Sequence, residues 1–235
     1  MSKEDIGNII NSFYDVLKKH MFAMRSEIMH PYIGMRAKAY LETIDYISEY
    51  FQSAMVCIDQ NEVFNIAVAN ISIKGLNAEF GVKKGKSIKM LCQKQLLKKH
   101  DFFGFDSFEG LPKNWFGTRI KKGRLTNFGD IPKLPKNVKI VKGLFNETLP
   151  DFVKNNTKPF AFIHIDCDIY QSTKDIFANI ANSIVSGTII VFDEYFNYPN
   201  WQNHEYKAFQ EFVSANKIDY EYIAYGPTQA VVKIK

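Results

Sequence analysis

No two cysteines in this 235-residue chain stand at CxxC spacing; Cys57, Cys92 and Cys167 are scattered. That excludes a disulfide scaffold and a cysteine zinc site, and it fits a reducing cytoplasm, where the protein is expected to work. No apolar run approaches the ~18–20 residues of a membrane helix, so no membrane span is expected. The opening MSKEDIGNII carries early acidic residues and no apolar stretch, and it does not read as a signal peptide. Repeats, low-complexity tracts and flexible linkers are missing. A strong charge imbalance is missing too: 30 Lys and Arg against 25 Asp and Glu leave a net +5. That is less basic than a nucleic-acid binder advertises, and no RNA-binding motif appears, so no nucleic-acid partner is expected.

What is there describes a globular chain, 46% apolar and 23% charged, of a length that suits one domain. Residues 1–60 read as an N-terminal helical extension and 61–235 as the main body. The run 12–28 places Phe13, Val16, Leu17, Met21 and Met24 at helical spacing. Pro31 and Gly34 are expected to interrupt it, and a second helix follows from Ala37 to Phe51. These helices are also the candidate surface for a homo-oligomer. From Gly75 the pattern changes to short apolar runs alternating with helical ones. Strands are expected at 76–80, 100–106, 137–142, 159–166 and 187–193, with a closing pair at 219–225 and 229–235. Helices are expected at 87–99, 149–155, 172–183 and 203–215. The fourth and fifth strands are apolar throughout, which implies burial on both faces. Strand–helix alternation then builds an α/β, Rossmann-like sheet of seven mostly parallel strands with helices on both faces.

Four stretches carry chemistry. Glu79-Phe-Gly81-Val-Lys-Lys-Gly85-Lys-Ser87 ends the first strand, and its glycines allow a tight turn against a ligand at a helix N-terminus. The dehydrogenase fingerprint G-x-G-x-x-G is absent, so an NAD(P)-dependent oxidoreductase is disfavoured and a nucleoside without a pyrophosphate fits better. Asp106 ends the second strand in FFGFDSFEGLP, about 20 residues after Gly85, where an acid can accept both ribose hydroxyls. It would equally serve as the cap of an Asp-Ser turn. IHIDCDIYQSTKD puts Asp166 at a strand end with Asp168 two residues on, and VFDEYFNYPNWQNHE puts Asp193 and Glu194 at the next strand end. Four acids at one sheet edge repel one another unless a cation or a proton intervenes. Oxygen ligands favour a hard divalent ion, Mg²⁺ first, with Ca²⁺ or Mn²⁺ as alternatives. Taken separately, these acids could also be helix caps. His164 shares a strand face with Asp166 and reads more simply as a satisfied buried histidine. Tyr195, Phe196, Tyr198 and Trp201 could wall a site or cap the sheet, and His204 could reach the pocket or sit on a helix surface.

Together these residues resemble the macrocin O-methyltransferase family of class I S-adenosylmethionine-dependent enzymes, over about residues 75–215. DSFEGLP, KGLFNETLP at 142–150, HIDCDIYQST and FDEY carry the likeness. The resemblance implies a Rossmann-like methyltransferase fold and metal-dependent methylation of sugar hydroxyls. It implies that Glu79, Gly81, Gly85, Ser87 and Asp106, with Ser107 beside it, hold S-adenosylmethionine. Asp166, Asp193 and Glu194 would hold the metal and Asp168 would be the general base, with His164 the other candidate base. The family has two aspartates before the tyrosine where this chain has Asp193-Glu194, and YPNWQNHE also departs from the antibiotic enzymes. The expected function is O-methylation of a nucleotide-linked, polysaccharide or natural-product sugar. Lys121, Lys122 and Arg124, on a loop of roughly 24 residues from Lys113 to Lys136, are expected to meet a diphosphate, and Tyr195, Trp201 and His204 to touch the sugar. A catechol-type methyltransferase is the nearest rival, since a catechol also chelates a metal; a non-catalytic binding module would not need the acids.

Overall fold

Eight strands pair into one sheet in the order β1-β7-β8-β6-β5-β2-β3-β4, parallel except for β8, which runs antiparallel to both its neighbours. They are β1 Met55–Val56, β2 Leu76–Phe80, β3 Phe102–Asp106, β4 Val138–Lys142, β5 Phe160–Ile165, β6 Ile189–Phe192, β7 Tyr220–Tyr225 and β8 Ala230–Ile234. The helices are α1 Pro31–Tyr50, α2 Gln60–Ala69, α3 Lys86–Gln93, α4 Phe145–Asn155, α5 Tyr170–Ile180 and α6 Glu205–Asn216. This computed structural model describes residues 30–235 together with Ser12, Asp15 and Val16. The helix expected over 12–28 therefore lies outside the described residues, those three positions apart. The chain divides into two compact units, 1–37 and 38–235, and the sheet belongs to the second. Among the described residues no helix is long and apolar enough to cross a membrane.

The sheet is doubly wound. β2, β5 and β6 are buried at every position, as strands covered on both faces must be. Side chains alternate between two cores: Phe80, Phe105, Ile163, Ile165 and Phe192 face one layer of helices, while Phe102, Phe162, Ile189 and Val191 face the other. The connections β2–α3–β3 and β5–α5–β6 leave in opposite directions from the central β5-β2 pair. A crevice is therefore forced open at the carboxyl ends of these strands.

Four expectations need correction. The sheet has eight strands, because Met55–Val56 pairs in parallel with Ala224 and Tyr225 inside the stretch read as helical. The second helix starts at Pro31 rather than Ala37 and carries Gly34 inside it. Pro31 suits the first turn, where its fixed φ is helical and its missing N–H costs nothing. The helix read over 87–99 stops at Gln93, since Lys94 is extended (ψ 132°), and the break turns Leu97 into the core. Helix α2 was not anticipated. Its start is a reciprocal cap: the Asp59 carboxylate accepts the Glu62 N–H, and the Glu62 carboxylate accepts the Ile58 N–H, each at 2.9 Å.

Candidate active site

Three strands hand over to the crevice at one level. The residues after β2, β5 and β6 are Gly81, Asp166 and Asp193. Their N–H groups donate to the carbonyls of Phe105, Phe80 and Ile165 on the neighbouring strands, each at 2.9 Å. A cleft of about 830 Å³ opens beyond this edge, and Gly81, Ser87, Asp106, Ser107, Asp166, Asp168, Asp193 and Glu194 all line it. Gly81 has φ 97°, and a Cβ there would be driven into the Asp166 carbonyl. Only glycine lets the β2 turn pass so close to the end of β5.

The Asp106 carboxylate closes that turn. Oδ2 accepts the N–H of Val82 and Lys83 at 2.8 and 2.6 Å, and Oδ1 accepts the Phe108 N–H at 2.7 Å. The acid at the end of β3 therefore fastens the glycine turn of β2 while facing the cleft. Gly85, at φ 73°, forms the N-terminal cap of α3, and Ser87 stands in that helix's first turn on the cleft wall.

Asp166, Asp168 and Glu194 bring carboxylate oxygens within 4.8 Å of one another. Burial, followed by repulsion from the neighbouring acids, pushes the Asp166 and Glu194 carboxyls well above the usual range. Burial and then Asp193 raise Asp168 to about 7, against the opposing pull of Lys83. Glu194 Oε2 is buried with no hydrogen-bond partner. Asp166 and Glu194, with that orphaned oxygen, offer carboxylate donors to a hard divalent cation, so the residues fit the group the resemblance implies. Asp193 is held apart from the trio. Its Oδ1 accepts from Gln60 Nε2 at 2.7 Å and Gln229 Nε2 at 3.0 Å, which fixes the carboxylate at the edge of the cleft.

Asp168 sits on an unusual turn. Its φ is 67°, and the Ile169 N–H returns to the Cys167 carbonyl at 2.7 Å, a three-residue turn of the strained hand. Glu205, which sequence reasoning did not single out, meets this turn from the start of α6. Its Oε1 accepts the N–H of Cys167 at 3.3 Å and of Asp168 at 3.1 Å. No local pattern marks the contact, since it joins residues 37 positions apart.

Other expected site residues lie elsewhere. Glu79 and His164 are register partners on β2 and β5, both fully buried, joined at 2.9 Å between Oε2 and Nδ1, and neither lines the cleft. The His164 ring stands edge-on to Phe64 of α2 at 5.0 Å. Burial raises the Glu79 carboxyl and its hydrogen bond to His164 opposes this. Removing one partner of such a pair strands the other, so His164→Ala is expected to cost about 3–5 kcal/mol in denaturant unfolding. Ligand affinity of the folded fraction should be unchanged.

Tyr195 and Trp201 are core side chains, the Tyr195 hydroxyl 2.6 Å from that of Tyr222. His204 is buried, its Nε2 donates to the Phe116 carbonyl at 2.7 Å, and burial lowers its pKa. It thus anchors the 113–136 loop rather than entering the cleft. Leu111, just before that loop, and Trp115 within it pack with Ile169 beside the Asp168 turn. Lys121, Lys122 and Arg124 are exposed and off the cleft wall, whereas Lys83, Lys84, Lys86 and Lys113 line it.

Residues 78–195 match the family described as "Methyltransferase domain". Among solved structures, a calicheamicin methyltransferase, CalS11, superposes with TM-score 0.62 at 17% identity, covering 99% of this chain and 93% of that one. An apo structure described as CalS11, TDP-rhamnose 3'-O-methyltransferase, gives TM-score 0.55 at 18% identity, covering 99% and 95%. The O-methyltransferase NovP gives 0.59 at 19%, covering 74% and 78%. At such identities the likeness is one of fold. A comparison with curated protein sequences finds no match.

Proposed function

The chain belongs to the methyltransferase-domain family and is an enzyme of that family; on that premise we propose that it transfers the methyl group of S-adenosylmethionine to a sugar hydroxyl, with a divalent cation bound, as macrocin O-methyltransferases do. One observation carries the reading: a glycine turn fastened by Asp106 and a cluster of three carboxylates share a single cleft. Gly81, Ser87, Asp106 and Ser107 line the donor side, and Gly85 caps the helix that carries Ser87. Asp166 and Glu194, with Asp193 fixed alongside, would hold the cation. When bound, that cation supplies Lewis acidity that lowers the pKa of a sugar hydroxyl.

The rest falls to the chain's own side chains. Asp168 takes the hydroxyl proton as the oxygen forms its bond to the methyl carbon and the carbon–sulfur bond breaks, its electron pair leaving with the neutral thioether product. The turn that carries Asp168 fixes where the proton goes, and most of the remaining rate comes from such positioning. Leu111 and Trp115 wall the cleft beside that turn and exclude water. Lys83, Lys84, Lys86 and Lys113 give the cleft a basic rim, which suits a nucleotide-linked sugar better than a neutral catechol.

Calorimetry and turnover test this together. S-adenosylmethionine and its demethylated product should bind, and Asp106→Ala should weaken both by releasing the turn that three backbone N–H groups hold. Methyl transfer should appear with nucleotide-linked sugars. Binding of NAD in place of S-adenosylmethionine would reject the reading; turnover of catechols with inert sugars would change the substrate class.

A further inference from the structure

We propose that Glu205 is a positioning residue that holds the Asp168 turn in the geometry proton transfer needs. The inference rests on Asp168 being the base. Asp168 has φ 67°, a conformation that L residues other than glycine adopt at a cost and keep only where surroundings over-determine it. The chain's own bond across the turn, from the Ile169 N–H to the Cys167 carbonyl, closes it from below. That leaves the N–H groups of Cys167 and Asp168, side by side, to be satisfied by something else. Glu205 Oε1 accepts both. The side chain is wholly buried, and its Oε2 has no partner.

A buried carboxyl among other carboxyls is an expensive way to fill space, so packing alone does not account for it. Glu205 is also the first residue of α6, a helix whose buried face packs into the sheet's core through Phe209, Phe212 and Val213. The clasp therefore transmits the rigidity of the core to a strained turn at the cleft. The preceding residue, His204, holds Phe116 of the loop over that cleft. Without the clasp, the turn can relax toward an ordinary φ, and the Asp168 carboxylate swings out of line with the substrate hydroxyl. Misplacements of about 1 Å cost on the order of 10²-fold in rate.

Reach and charge can be separated with two variants. Glu205→Gln keeps the length and an accepting oxygen but removes the charge. Glu205→Asp keeps the charge but is one methylene shorter. Reach as the determinant predicts near wild-type kcat for Glu205→Gln. It predicts a kcat about 10²-fold lower for Glu205→Asp, with KM for both substrates and calorimetric affinity for S-adenosylmethionine unchanged. Amide exchange over Cys167 and Asp168 should be about tenfold faster in Glu205→Asp and unchanged in Glu205→Gln. The reverse order, with Glu205→Gln the damaged variant, would overturn the proposal and assign Glu205 an electrostatic role. Wild-type kcat and exchange in Glu205→Asp would also overturn it. Exchange reads the clasp without turnover, so a wild-type protein that methylates no sugar would sink the functional reading while the clasp is still measured.

Discussion

Asp168→Asn is expected to lower kcat by about 10²–10⁴-fold, the usual cost of removing a general base. The side chain is nearly isosteric, and its backbone N–H still reaches Glu205, so the turn should survive. Affinity for S-adenosylmethionine should be unchanged, because the proposed donor side of the cleft rests on the Gly81–Ser87 turn that Asp106 fastens. Asparagine at 168 removes a carboxylate from a cluster of like charges, so the variant should be at least as stable as wild type in denaturant. Loss of activity with gain of stability is the signature of a group kept for chemistry. A wild-type kcat would exclude Asp168 as the base. An equal loss in donor affinity would make it part of the donor site.

Much of this site was legible in the sequence because strand ends are. FAFIHI is apolar at all but one position, which marks β5 as buried on both faces and makes Asp166 the residue that leaves the sheet. IIVF does the same for Asp193. Two such strands side by side bring Asp166 and Asp193 to one edge of the cleft by topology alone. Pairings between distant residues were hidden. Met55 and Val56 are both exposed and form a strand only because β7 offers an edge. Glu79 read as a cofactor ligand from its place before Gly81. Its side chain is fully buried, and only the register with β5 shows that His164 waits beside it. The basic loop was read by charge, and charge does not say which lysines turn inward: Lys113 lines the cleft, while Lys121 and Lys122 face out. Glu205 left no mark, since a buried acid at a helix start looks like any first-turn glutamate.

The largest effect after loss of the base should come from removing the cation. Several kcal/mol of stabilisation from a metal, at tenfold per 1.36 kcal/mol, means that chelation should cut turnover by about 10²-fold or more, reversibly on adding Mg²⁺. Asp166→Asn should reproduce the loss, with partial rescue by excess metal. Folding stability reads the same site without turnover. Burial and mutual repulsion raise the carboxyls of Asp166, Asp168 and Glu194 in the folded chain, Asp168 to about 7 from an ordinary value of 3.8. Between those values the folded state binds more protons than the unfolded state, so stability falls as pH rises. For Asp168 that window runs from about pH 4 to about pH 7. The metal-free protein should therefore melt at a lower temperature at pH 8 than at pH 5.5, and Asp166→Asn should flatten that slope. A cation needs the ionised carboxylates, so Mg²⁺ should raise the melting temperature at pH 8 far more than at pH 5.5. At 100 times its dissociation constant it would contribute about 2.7 kcal/mol. Full turnover in chelator, with a melting temperature indifferent to Mg²⁺ at pH 8, would reject the cation. The acid cluster would then have to work protonated in part, with Asp168 as the carboxylate left to take the substrate's proton.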